Sequence, residues 1–188
     1  MPYTIPNLLT WLRILLIPLF VGMFYFPDIW ISAENKNLFS ALIFLFAAIT
    51  DWLDGYLARA LEQTSAFGAF LDPVADKLMV AAALIVLVKL GRVNDLVSFI
   101  IIGREIAISA LREWMAKIGE SGSVAVSFIG KVKTASQMVA ILLLLYDGSV
   151  MGLDSFWVGT WLIYLAAILT LVSMAYYLKM AAPGAAEP

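Results

Sequence analysis

Asp51-Trp52-Leu53-Asp54-Gly55-Tyr56-Leu57-Ala58-Arg59 continues, after eight further residues, to Gly68, and then to Asp72 and Asp76 at intervals of four. The segments around this run are apolar enough to lie in a lipid bilayer. There an ionised carboxylate at a helix centre costs ~2.5–3.5 kcal/mol. Four of them within 26 residues need compensation. Hard divalent cations, which take carboxylate oxygens as ligands, are the simplest compensation.

The rest of the composition agrees with a membrane setting. Of the 188 residues 63% are hydrophobic and 14% charged, with a mean hydropathy of +0.94, against ~25% charged for an ordinary soluble domain. Spans need ~20 apolar residues each, and six apolar stretches are visible, at about 8–26, 38–56, 72–88, 96–111, 134–146 and 156–178, the fifth expected to extend back toward Gly130. The expected fold is an all-α integral membrane protein of six transmembrane helices. It forms one domain over residues 1–182, followed by a frayed tail at 183–188. Arg13 lies within the first apolar run and no small-residue cleavage site follows, so the first helix is not expected to be a cleavable signal.

With no cysteine and no histidine, thiolate nucleophiles, imidazole acid–base chemistry and the usual nitrogen–sulfur zinc sites are excluded. Carboxylates, Lys and Arg remain. A net charge of −2 speaks against nucleic acid as a partner. Lys and Arg near span ends favour one side: Arg59, Arg112, Lys117, Lys131, Lys133 and Lys179 against Lys36, Lys89 and Arg92. With the richer side inside, both termini and the acidic run face the cytoplasm.

At ~100° per residue, Asp51 and Asp54 lie ~60° apart on a helix, and Gly55 and Ala58 share their stripe. Asp72 and Asp76, at i and i+4, share a face as well. Pro73 allows two readings, a first helical residue with Asp72 as N-cap or a kink. Two antiparallel helices joined by a short link would present the carboxylates to one another, and charges ~4 Å apart repel by ~4 kcal/mol at an effective dielectric near 20. Two Mg²⁺ or Mn²⁺ ions would turn that repulsion into ligation, an arrangement suited to displacement at phosphorus. Taken singly, each acid also reads as a proton relay, an ion-pathway ligand, or an ion-pair member: Asp54 with Arg59, Asp76 with Lys77 or Arg104.

The ordered set Asp51, Asp54, Gly55, Ala58, Arg59, Gly68, Asp72 and Asp76 resembles the signature of the CDP-alcohol phosphotransferases at every fixed position. The resemblance implies a six-helix membrane enzyme, usually a homodimer, that moves a phospho-alcohol from a CDP-linked donor to an acceptor hydroxyl and releases CMP. It further implies Asp51, Asp54, Asp72 and Asp76 as ligands of two Mg²⁺ or Mn²⁺ ions. Asp76 would be the base for the acceptor hydroxyl; Gly55, Ala58, Arg59 and Gly68 would serve the CDP-diacylglycerol site.

Cations outside the signature bear on the acceptor. Arg104 lies inside the apolar run Ile100-Ile101-Ile102-Gly103-Arg104-Glu105, and Arg112, Lys131 and Lys133 follow. Arg this close to the bilayer interior wants an anion, or a salt bridge to Glu105 or to an acid of the run. Together with Ile5-Pro6-Asn7-Leu8-Leu9-Thr10, Arg13 and Gly130-Lys131-Val132-Lys133-Thr134, the likeness points within the family to members that join CDP-diacylglycerol to sn-glycerol 3-phosphate. Arg104, Arg112, Lys131, Lys133 and Thr134 are then the candidate glycerol-phosphate ligands. Asn7, Thr10 and Arg13 either meet the nucleotide or lipid headgroup, or settle the first helix at the interface. The expected location is a bacterial inner membrane, with the active site cytoplasmic. Other acceptors in the same family (inositol phosphate, serine, phosphatidylglycerol) form the near alternative. A divalent-cation transporter is the distant one, since it needs acids in more spans than these.

Overall fold

The computed structural model describes residues 5–60, 66–117, 128–150 and 152–181. Its helices are α1 (Ile5–Gly22), a single 3-10 turn (Met23–Tyr25), α2 (Ala33–Ala60), α3 (Ala66–Lys89), α4 (Asp95–Lys117), α5 (Phe128–Tyr146) and α6 (Ser155–Ala181), with a two-stranded hairpin, β1 (Ser149–Val150) and β2 (Leu153–Asp154), before α6. All six expected apolar stretches are helical. α2, α3, α4 and α6 run beyond the apolar stretch at both ends and α5 at its start, whereas α1 stops at Gly22 and the 3-10 turn Met23–Tyr25 takes the place of its last turn. The link between α5 and α6, read as a polar loop, holds the hairpin, with Ser149 opposite Asp154. The tail at 183–188 lies outside the described residues.

Pro73 falls inside α3, which starts at Ala66. Asp72 is therefore not the N-cap of that helix, and the reading of Pro73 as a first helical residue is corrected. Residues before the proline are poor in β-branched side chains and sustain the turn ahead of it. The consequence is functional: Gly68, Asp72 and Asp76 sit on one continuous helix at one-turn spacing.

The core joins all six helices. Phe20, Phe44, Leu84, Leu87, Ile101, Ile141, Leu144 and Ile163 are buried in one cluster, interleaved with Ala41, Ala47, Ala83, Ala140 and Ala167. Small residues let helix backbones approach in a membrane bundle. At Gly159 of α6 an added Cβ would lie 2.8 Å from Leu144 Cγ and 3.2 Å from the Ala140 carbonyl oxygen, so any larger residue would force α5 to shift at this crossing. The outside is as apolar as the inside: Leu15 is 66% exposed, Ile85 62%, Phe99 74% and Ile168 60%. Water would not tolerate such a surface over a whole bundle. Among the described residues three helices, within Asn7–Tyr25, Ala33–Leu57 and Ser155–Lys179, are by themselves long and apolar enough to cross a bilayer. The chain is a multi-pass membrane protein.

The end of the bundle away from the acidic run is tied by Arg92. Gly91, with φ +70°, closes α3 in a Schellman turn: Arg92 N–H donates to Leu87 O at 2.9 Å and Gly91 N–H to Val88 O at 2.9 Å. The turn sends the Arg92 side chain to the last carbonyls of α5, Leu144 O at 3.0 Å and Leu145 O at 3.2 Å. It also reaches Asn37 Oδ1 at 3.0 Å and Asp147 Oδ2 at 2.8 Å. Burial lowers the pKa of this guanidinium and Asp147 opposes the shift. Lys36 closes the same end, donating to Phe26 O at 2.6 Å and Asp28 Oδ1 at 2.5 Å.

Candidate active site

Alternating helix directions bring the start of α1, the end of α2, the start of α3, α4 from Arg104 onward, the start of α5 and the end of α6 to one end of the bundle. Every candidate site residue is on one of these segments. Asp51 and Asp54 are within the last three turns of α2; Asp72 and Asp76 face them from α3. All four line one pocket of about 510 Å³, together with Gly55 on α2 and Arg104, Glu105 and Arg112 on α4.

Helix α1 supplies partners for these acids. Thr10 and Arg13, three residues apart on one helix face, are both buried. Arg13 donates through Nη1 to Asp51 Oδ1 at 2.5 Å and through Nη2 to Asp54 Oδ2. The Thr10 hydroxyl donates to Asp72 Oδ1. Asp54 is itself only 3% exposed, so an unpaired charge there would be costly. Its partner among the described side chains is Arg13; the expected pairing with Arg59 falls on a side chain outside those described. Thr10 and Arg13 thus both reach the acids themselves. Among the described residues, no three acidic side chains form a group able to hold a metal ion as they stand; the positive charge among them is the Arg13 guanidinium.

The α4 wall carries the opposite charge. Arg104 contacts Glu105 Oε1 at 3.4 Å and donates to Ser173 Oγ on α6 at 3.0 Å. Arg112 donates to the Tyr177 hydroxyl at 3.2 Å. Lys133 of α5 is buried and ion-paired with Glu105, so it is not among the residues lining the main pocket. Thr134 donates to Gly130 O at 3.0 Å and lines a smaller adjoining cavity of about 60 Å³, shared with Asp76, Glu105 and Gln137. Trp52 and Tyr56, both exposed, stack with centroids 6.0 Å apart, and Trp52 also borders the pocket of the acids.

Asn7 is on the first turns of α1 and half-buried, and Gly68 is buried on α3. The side chains of Ala58, Arg59 and Lys131 lie outside those described. Sequence reasoning passed over three site residues. Glu105, noticed only as a possible partner of Arg104, bridges Arg104 and Lys133. Ser173 and Tyr177 sit on α6, which reads as a generic span. The available signal was Thr170, Ser173 and Tyr177 at spacings of three and four, one polar stripe along an otherwise apolar helix.

A sequence profile described as CDP-alcohol phosphatidyltransferase matches residues 3–172. The CDP-diacylglycerol–glycerol-3-phosphate 3-phosphatidyltransferase of Pectobacterium atrosepticum is 50% identical, with 100% of each chain covered. Proteins of the same name from Salmonella typhimurium and Escherichia coli are 50% and 49% identical, over 96% of both chains in each case. The likeness spans every helix that contributes to the pocket, and on it the chain belongs to the CDP-alcohol phosphatidyltransferase family.

Proposed function

We propose that the protein transfers the phosphatidyl group of CDP-diacylglycerol to a hydroxyl of sn-glycerol 3-phosphate, releasing CMP and forming phosphatidylglycerophosphate. The relatives' shared name describes this reaction. The observation that carries the reading is the two-sided pocket. Four carboxylates on α2 and α3 face two arginines on α4 across one cavity of about 510 Å³. An acidic wall alone would suit any cation. An acidic wall opposite a guanidinium pair suits a diphosphate donor, with its counter-ions, beside an anionic acceptor.

In this reading the acceptor's phosphate is held by Arg104 and Arg112, whose forked N–H donors match phosphate oxygens. Its free hydroxyl then points toward α3. Asp76 takes the hydroxyl proton, as a base within hydrogen-bond reach can. The hydroxyl oxygen forms a bond to the phosphatidyl phosphorus while the bond from that phosphorus to the bridging oxygen breaks, and the electron pair leaves with CMP.

The acids fit divalent metal in kind, being four hard oxygen-donor side chains on one pocket wall. Asp51, Asp54, Asp72 and Asp76 would hold Mg²⁺ or Mn²⁺ once Arg13 and Thr10 give up some of their contacts. Bound there, such ions supply charge neutralisation for the diphosphate and its leaving group. Gly55 keeps the pocket wall low where the nucleotide must approach.

The membrane placement follows from helix length. α2 has 28 residues, about 42 Å at ~1.5 Å per residue, against a hydrocarbon core of ~30 Å. Its last turns, which bear the acids, then reach headgroup depth, where a diacyl donor carries its diphosphate. Six spans, a single catalytic domain, cytoplasmic termini and site, a bacterial inner-membrane location and a homodimer belong to the same proposal. An assay with purified protein, CDP-diacylglycerol and a panel of acceptors tests it. CMP release should depend on glycerol 3-phosphate, and release with serine or inositol phosphate in its place would reassign the acceptor.

A further inference from the structure

We infer that Tyr177 is a positioning residue for the anionic acceptor, fixing Arg104 and Arg112 as one phosphate-binding unit; the inference rests on the reading of the pocket given above. The two arginines are eight residues apart on α4 and both line the pocket. As like charges they repel, and left to themselves long guanidinium side chains would diverge toward water. Tyr177 prevents this from the neighbouring helix. The Arg104 Cζ lies 5.7 Å from its ring centroid and the Arg112 Cζ 5.2 Å, within the range of cation–π attraction. The hydroxyl accepts from Arg112 at 3.2 Å. One turn earlier, Ser173 Oγ accepts from Arg104 at 3.0 Å.

The anchor is rigid. Tyr177 is 1% exposed and packs with Ile108 and Met115 in a small apolar cluster between α4 and α6, so its ring is held by the bundle itself. The anchor is also neutral. Arg13, gripped by Asp51 and Asp54, has its charge quenched where it sits. A ring and a hydroxyl hold Arg112 without cancelling its charge. Each guanidinium has five N–H donors, and the described contacts with α6 engage only one on each side, leaving donors for a phosphate.

Two variants of the full-length protein in detergent test this, with two independent readouts. Tyr177→Leu removes ring and hydroxyl; Tyr177→Phe removes the hydroxyl alone. Tyr177→Leu should raise KM for glycerol 3-phosphate about tenfold, with kcat and the KM for CDP-diacylglycerol within about twofold of the parent, and Tyr177→Phe should recover most of the loss. Calorimetric titration with inorganic phosphate should show the same order of affinities, parent, Phe, then Leu. This arm needs no turnover: a parent that binds phosphate but does not consume glycerol 3-phosphate would refute the proposed reaction and leave the arginine unit standing. Unchanged phosphate affinity in Tyr177→Leu, or equal losses for donor and acceptor, would overturn the inference. Should Tyr177→Leu not fold, Ser173→Ala with Tyr177→Phe frees both hydrogen bonds while keeping the ring, and unaltered phosphate affinity in that pair overturns it equally.

Discussion

Arg13 on α1 places Nη1 2.5 Å from Oδ1 of Asp51 on α2, 38 residues further along the chain. The same guanidinium reaches Asp54. A residue of the first helix thus neutralises part of an acidic wall built by the second and third. Any ion that binds those carboxylates competes with a cation the protein already supplies.

Removing that cation should therefore have two consequences. Arg13→Ala leaves Asp54 buried without its partner and should cost about 3–5 kcal/mol, measured as thermal unfolding in detergent. Added Mg²⁺ should stabilise the variant more than the parent, since it would fill the place of the lost charge. Equal Mg²⁺ shifts in both proteins would show that Arg13 and metal occupy separate places.

Asp76 is the acid whose surroundings reach furthest toward the acceptor side, bordering both the main pocket and the smaller cavity with Glu105, Thr134 and Gln137. Asp76→Asn should lower kcat by roughly 10²–10⁴-fold, the usual contribution of a general base, while the melting curve keeps its cooperative shape. Turnover at the parental rate would remove Asp76 from the base role.

Chelation addresses the metal proposal directly. EDTA should stop CMP release, Mg²⁺ or Mn²⁺ should restore it, and Ca²⁺ should restore it poorly because its coordination is longer and looser. Activity that survives exhaustive chelation would be incompatible with the carboxylates acting as metal ligands.

Arg112 is held by α6 through neutral groups and faces the pocket. Arg112→Ala removes a charged hydrogen-bond donor, worth ~1.5–3 kcal/mol, and should raise the acceptor KM by roughly 10–100-fold with a much smaller effect on the donor. A larger effect on CDP-diacylglycerol would assign this arginine to the diphosphate.

The opposite end of the bundle should behave differently. Arg92→Met cuts the ties from the α3–α4 turn to Leu144, Leu145, Asn37 and Asp147. A loss of about 1–3 kcal/mol is expected, several degrees in Tm for a chain of this size, with both KM values unchanged. The acids lie about 15 residues along α2 from Lys36, ~22 Å at ~1.5 Å per residue, too far for this end to touch substrate.

The spacing of Asp51, Asp54, Asp72 and Asp76 and the lengths of the apolar stretches were enough to establish a helical membrane protein with one acidic site. Periodicity and hydropathy are local properties, and a carboxylate in an apolar helix is anomalous wherever the helix packs. Which charges meet is not local. Arg13, Glu105, Ser173 and Tyr177 gained their roles only when α1, α4, α5 and α6 came together, because a side chain's partner is set by helix crossing and rotation, which no single segment encodes. Pro73 shows the limit within one helix as well: its two readings were equal in sequence, and only the structure shows α3 already under way at Ala66, ahead of the proline.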